Sequence, residues 1–503
     1  MSREKTEATR FGVRPPLETV DKLPTPEEVF NIPHITTGKM ITKILGPAMI
    51  ALGMSIGSGE WLMGPSVAAL YGMGLFWLVL IGGFTQTIFN MAWGRVTLWS
   101  GEPPVIWFSR APPGPKFWGW WIPLWVVLAK MWPGWAVAAA TGLGAIMLGR
   151  VPGLIPAVAA ADTNFIRMLG IVLFIACFAI VMFGYKIERT LEIANWVQVI
   201  FILAALVFIV APLTITGEAV SETARGIVSF GYIPKGVDIL LLGGWWAYIG
   251  YASGSNFDWG NYYRDKGYAM GQTVGYIPAM VGGKKVPVSP LGKTFKLTSE
   301  NLATWRKWYK ILVYDQWFIF FVGAMIGMFL PSLIVRSLLP PGTKLPAWGI
   351  AAHISTAFAA KVGPWGFGFI CFIGFLILFT TQFGVVDVLA RNVTDCSWSL
   401  SDKVRGWTKG DIRKLYYLIF ILYMLFGCWA MYQTQPLILL LLGANASNLT
   451  GIFSVPLVIW GNRQLPKEIA PPAWEYVILV IFWIICVFFS VAILLAQFGI
   501  KIL

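Results

Sequence analysis

Ile50-Ala51-Leu52-Gly53-Met54-Ser55-Ile56-Gly57-Ser58-Gly59-Glu60-Trp61 lies inside the first long apolar run of the chain. Hydrocarbon offers no hydrogen bonds. A membrane helix can therefore hold three glycines, two serines and Glu60 only where neighbouring protein or trapped water satisfies the loosened backbone and the carboxyl group. A carboxylate at that depth costs roughly 3 kcal/mol or more on insertion scales, which makes Glu60 a candidate functional residue. The alternative is a small-residue packing face on which Glu60 bonds to an adjacent helix.

The rest of the chain has the same character. Its 503 residues are 57% hydrophobic, 15% aromatic and 12% charged, far from the make-up of a soluble domain. Stretches long enough to cross a bilayer run at about 44–71, 75–99, 119–149, 165–184, 193–214, 236–260, 309–335, 365–390, 412–433, 435–461 and 474–500. An all-α polytopic membrane protein of about eleven transmembrane helices is predicted. With the N-terminus placed inside, 29 of the 38 lysines and arginines fall in inside segments, 8 fall outside, and Lys130 lies within a span. The positive-inside rule then predicts an integral protein of the cytoplasmic (plasma) membrane, with its N-terminus cytoplasmic and its C-terminus outside. Because the cations sit in loops between spans, the net charge of +14 reports orientation and not a nucleic-acid partner. Five scattered cysteines suggest neither a disulfide framework nor a zinc site. With only His34 and His353, and no H-E-x-x-H motif or phosphate-binding loop, the chain reads as neither an enzyme nor an ATP-driven pump. Residues 1–40 are polar and proline-bearing and read as an unpacked cytoplasmic tail. Residues 41–465 form the core and 466–503 add an eleventh helix.

A second interruption echoes the first. Gly250-Tyr251-Ala252-Ser253-Gly254-Ser255-Asn256-Phe257-Asp258-Trp259-Gly260 places three glycines, two serines, an amide and a carboxylate in the sixth span. Gly57-Ser58 followed by Glu60-Trp61 is matched by Gly254-Ser255 followed by Asp258-Trp259. Breaks five spans apart suit two five-helix repeats, about 44–214 and 236–461, in inverted topology; paired glycine-interrupted spans point to a transporter's midplane site. Unwound carbonyls and half-helix ends become ion ligands there, and Glu60 and Asp258 add negative charge. With Gly57, Ser58, Gly250, Ser253, Ser255 and Asn256 the set is oxygen-rich, which suits a hard cation such as Mg²⁺. Met54 and Met63 read as packing.

The order of Gly46-Pro47-Ala-Met-Ile, Tyr71-Gly72-Met-Gly-Leu-Phe-Trp77, Gly184-Tyr-Lys-Ile-Glu188-Arg and the sixth-span break resembles the NRAMP family of divalent-metal transporters. The resemblance runs from Gly46 to about Pro466. It implies a LeuT-type 5+5 inverted-repeat fold with helices 1 and 6 broken, and a metal-ion carrier coupled to H⁺ or Na⁺ with no other cofactor. The family's D-P-G-N motif reads Gly57-Ser58-Gly59-Glu60 here, and its A-x-x-M motif falls on Gly250 to Ser253, so the Asp, Asn and Met ligands for Mn²⁺ and Fe²⁺ are replaced. An amine or amino-acid symporter, or a transport-inactive sensor or scaffold, stays open beside a cation carrier.

Further polar groups fall within or beside spans. Glu188 and Glu192 flank Arg189 at the start of span five, as a salt-bridge cluster or a coupling site. Thr380, Thr381, Gln382 and Asp387 run along span eight, where Asp387 and Arg391 stand at ion-pair spacing. Asn445, Ser447 and Asn448 face the site or bond between helices. Lys130 either stands in for a cation's charge in the cavity or snorkels to the inner surface. Between spans six and seven, 264–308 is expected to hold a small hairpin and a helix capped by Ser299; residues 347–361 are expected to form a helix on the outer face.

Overall fold

Apolar runs without water to bond their backbone close their own hydrogen bonds, and every predicted span is helical. The computed structural model describes residues 17–183, 186–283, 286–345, 350–433 and 435–500. Among these, 8 helices are long and apolar enough to cross a membrane unaided: Pro115–Leu148, Pro156–Met182, Ile187–Thr214, Ser299–Leu338, Trp365–Leu400, Ile412–Ala430, Pro436–Arg463 and Ala473–Gln497. Three further spans fall short of that test for visible reasons. The first is a bent pair, Thr37–Ile44 and Pro47–Tyr71, at 65°. Trp77–Ser100 carries Thr85, Gln86, Asn90 and Arg95 on buried faces. The sixth is divided into Ile239–Tyr248 and Trp259–Lys266.

The two expected breaks are present. Span one is helical over Pro47–Ser55, turns at Ile56 (ψ 80°), and resumes as a wide π-type turn over Gly59–Met63 and a helix over Gly64–Tyr71. In span six the interruption is longer, and Gly250 and Ser253 take φ values of 83° and 48°. That left-handed region is open to glycine and strained for serine. Span three, expected to be continuous over 119–149, is interrupted as well: Pro115–Lys130 stops before Met131-Trp132-Pro133, and Gly134–Leu148 follows. Pro133 has no N–H to donate and disfavours helix in the residue before it.

Two expectations about the chain outside the spans are corrected. Residues 17–40 are packed, not free. Glu18–Val20 pairs in parallel with Lys293–Phe295, and Leu23 is fully buried. Asn301 grips the segment by accepting from Leu23 N (2.9 Å) and donating to Asp21 O (2.8 Å), while Trp308 Nε1 donates to Pro24 O (2.8 Å). The hairpin expected over 264–308 is absent among the described residues because Pro287 and Pro290 bring no ladder donors, so the strand pairs with the N-terminal segment instead. Lys284 and Lys285 of that loop, residues 1–16, and Gly184-Tyr185 of the family-like motif lie outside the described residues. The following helix is capped by Thr298, one residue before the expected Ser299, through a bond from Asn301 N to Thr298 Oγ1 (3.2 Å). The helix expected near 347–361 spans Ile350–Val362, and an unforeseen amphipathic helix covers Gly217–Val228.

Close approach fixes the broken span six in the bundle. A Cβ on Gly254 would lie 2.1 Å from Gly451 Cα of span ten. Only two glycines let these backbones meet.

Replacing Asn301 by Ala leaves Leu23 N and two carbonyls without their partner, a loss of about 1 kcal/mol or more. Trypsin should then cut after Lys22, whose side chain is 59% exposed, about fivefold faster or more, while helix content stays unchanged by circular dichroism.

Candidate substrate site

Where span one unwinds, its own side chains meet the freed groups. Gly57 N donates to Glu60 Oε2 (3.0 Å), so the carboxyl group closes the break from within. Ser55 Oγ lies 3.2 Å from Glu60 Oε1 and also donates to Gly250 O, the carbonyl that span six frees at the same level. One hydroxyl proton faces two acceptors, so Ser55 serves Gly250 O and Glu60 Oε1 by turns, and a proton on the Glu60 carboxyl group would let it donate to Ser55 Oγ in return. Gly57 is needed for space: a Cβ there would stand 2.4 Å from Thr381 Oγ1 of span eight.

The span-six break is richer in free oxygens. Asp258 Oδ2 accepts from Tyr251 OH (2.5 Å), and Asn256 Nδ2 donates to Asn90 Oδ1 of span two (2.6 Å). Ser255 Oγ, Asn256 Oδ1 and Asp258 Oδ1 are buried and find no hydrogen-bond partner among the described residues. Ser253 turns elsewhere, 3.3 Å from Cys486 Sγ of span eleven.

Between the breaks lies a cavity of about 20 Å³, lined by Met54, Ser55 and Ser58 of span one, Lys130 and Trp135 of span three, Tyr248 and Tyr251 of span six, and Thr381 of span eight. That is room for about one water molecule. Trp135 Nε1 donates to Ser58 Oγ (3.0 Å) across it. Lys130, only 6% exposed, ends the first half of span three at the unexpected break, and its ammonium stands 5.1 Å over the Tyr251 ring. It interacts electrostatically with Asp258 and makes no ion pair within 4.0 Å among the described residues. Tyr251 thus separates the cavity from Asp258, touching Lys130 with its ring and the carboxylate with its hydroxyl.

The two acids that the sequence singled out are therefore not brought to one point. Each belongs to its own break, neither lines the cavity, and Ser55 and Gly250 form the bridge between the breaks. Among the described residues no group of three His, Cys, Asp or Glu is placed to hold a metal ion.

The remaining candidates sit around this centre. Gln382 accepts from Ala136 N (3.2 Å) just past the span-three break and donates to Tyr423 OH (3.3 Å). Asn445 lies beside Gly243, with its Oδ1 unpartnered among the described residues; Asn448 donates to Gly243 O (2.8 Å). Asp387 is held by both Arg391 Nε (2.8 Å) and Nη2 (3.0 Å), and by Tyr262 OH (3.0 Å) and Tyr416 OH (2.6 Å). Arg391 also pairs with Asp265; Arg264 joins Asp265 (2.6 Å) to Asp395 (2.8 Å), and all five charged groups are buried. Glu192 bonds Lys266 (2.7 Å) and Arg189 (2.9 Å). These pairs join spans five, six and eight at the end where span one begins. There Asp315 of span seven accepts from Gly46 N (3.2 Å) and Ala48 N (2.9 Å), a carboxylate on a helix N-terminus.

Sequence reading missed Trp135, Tyr248, Tyr251, Gln86 and Asn90, and took Met54 as packing although it lines the cavity. Aromatic residues are so frequent in this chain that none stands out. Gln86 Nε2 donates to Asn90 Oδ1 (3.2 Å) at i,i+4, a spacing that marks the polar stripe of span two.

The hydrogen-bond count at Glu60 has a direct consequence for stability. Glu60→Gln keeps an acceptor for Gly57 N and offers Ser55 a donor, so its melting temperature in detergent should match that of the wild type. Glu60→Ala strips both partners and should lower stability by about 1–3 kcal/mol.

No protein-family model and no curated protein matches the chain. Among solved structures it is similar to the manganese transporter of Eremococcus coleocola. For the complex with an aromatic bis-isothiourea substituted compound, identity is 11% over 93% of this chain and 90% of that one, with a TM-score of 0.56. A mutant of the same transporter gives 10% identity over 94% and 89%, with a TM-score of 0.55. The likeness extends over about nine tenths of each chain and shows the fold of this one, an all-α polytopic membrane architecture of the LeuT type.

Proposed function

We propose that this chain is a secondary transporter, a divergent carrier of the NRAMP type that moves a small cation by alternating access around the two breaks. The observation that carries the reading is the span-six break, where Asp258 Oδ1, Asn256 Oδ1 and Ser255 Oγ are buried within four residues of unwound chain without hydrogen-bond partners among the described residues. Oxygen acceptors left in this way are stabilised by a cation. With one carboxylate and neutral oxygens, the set suits a hard divalent ion that keeps several waters, such as Mg²⁺, better than one needing a full protein cage. The fold likeness to a manganese transporter supports metal-ion transport as the class.

Lys130 supplies the counter-charge of Asp258 while no cation is bound, and an arriving cation displaces it. Glu60 takes the coupling proton, which Ser55 Oγ can accept in a hydrogen bond.

In proteoliposomes, uptake of Mg²⁺ followed with an entrapped indicator should fall about tenfold or more in Asp258→Asn, the loss of one charged ligand. Lys130→Met should retain uptake at a lower KM, and Glu60→Gln should lose its dependence on an imposed pH gradient. Undiminished Mg²⁺ uptake by Asp258→Asn would overturn the site, and uptake of amines in place of Mg²⁺ and Mn²⁺ would overturn the substrate class.

A further inference from the structure

At the end of the bundle where span one begins, spans two, seven and eleven leave a groove of about 590 Å³ that is separate from the site above. Arg306, Lys310, Val313 and Trp317 line it from span seven at helical spacing, which places two cations above two apolar side chains on one stripe. Its floor is a closed tie. Arg95 donates to both oxygens of Glu475 (2.8 and 3.0 Å) and bonds Tyr309 OH, and the ion pair is 2% and 3% exposed. Because Glu475 neutralises Arg95, the positive charge of the groove rests on Arg306 and Lys310, which are exposed and have no carboxylate within 4.0 Å among the described residues. Glu468 is the acid at the mouth, and the balance stays positive.

Along span eleven the groove runs into apolar surface. Trp474, Val477 and Ile484 of span eleven are 51%, 58% and 55% exposed. A ligand matching this sequence of environments carries an anionic head, a polar-to-apolar junction at the level of the tryptophans, and long hydrocarbon tails. We propose that this groove is a binding site for an anionic phospholipid, with its phosphate between Arg306 and Lys310 and its acyl chains over Val313 and Trp317 and along the exposed face of span eleven. A free phosphate would use the two cations and leave the apolar walls uncovered.

Native mass spectrometry of the full-length protein in detergent, titrated with phosphatidylglycerol, phosphatidylcholine or inorganic phosphate, tests the proposal. Phosphatidylglycerol adducts should exceed phosphatidylcholine adducts, and the Arg306→Ala/Lys310→Ala double variant should lose about fivefold affinity per cation, about thirtyfold together. Both side chains are exposed, so the variant should melt with the wild type; Arg306→Lys/Lys310→Arg, which keeps the charge, should keep the preference. Equal retention of the two lipids by the wild type, an unchanged preference in the Ala variant, or saturating inorganic phosphate displacing the lipid completely would each overturn it.

Discussion

A backbone that leaves helical geometry in hydrocarbon must find every lost hydrogen bond within the protein, and that requirement organises the centre of this molecule. Gly57 N is met by Glu60, and Gly250 O by Ser55, so each break is closed partly by the side chains of span one. The two breaks are tied to each other through Ser55, five positions before Glu60: it touches the carboxyl group that closes the first break and the carbonyl that the second break frees. Small residues are what make the tie sterically possible. Gly57 sits against Thr381, and Gly254 sits against Gly451, at distances no side chain would allow.

Charge inside the bundle is arranged in two groups of different kind. At the end where span one begins, Arg264, Asp265, Asp387, Arg391 and Asp395 are mutually paired and buried, and Asp315 caps the start of the Pro47–Ser55 helix. Removing one member of such a lattice leaves an uncompensated buried charge, so the five groups stand or fall as a unit. In the centre, Lys130, Tyr251 and Asp258 are loosely joined: the ammonium stands over an aromatic ring, and the carboxylate keeps one oxygen unpartnered among the described residues. The tight group is mutually satisfied, and the loose group leaves a buried acceptor open among the described residues.

The N-terminal segment adds a second constraint on the same end. It crosses to the strand at Lys293–Phe295, runs over Trp308, where Phe30 packs at 6.0 Å, and continues into the first span. Tyr268 OH donates to Ile44 O (2.6 Å) and Lys266 Nζ to Leu45 O (3.1 Å) just before that span begins. The first half of span one is therefore tied both to the segment before it and to the Trp259–Lys266 end of span six.

The apolar runs, the two glycine- and serine-bearing interruptions and their five-span separation are local properties, and from them the sequence determined the helical membrane class, the span order and the paired breaks. The break at Met131-Trp132-Pro133 was readable in the same way, since proline announces it, yet it was hidden inside a run apolar enough to read as one helix. What only the tertiary structure decided is which polar groups meet. Glu60 and Asp258 were expected at one point because both are acidic and both lie in breaks, but each carboxylate serves the chain that unwinds beside it. Lys130, a candidate from its place within a span, and Tyr251, which no local pattern marked, meet beside Asp258 from different spans. Periodicity carries the face a residue occupies on its own helix; the rotation of that helix against its neighbours is set by packing contacts such as Gly254 on Gly451, and these join residues about two hundred positions apart.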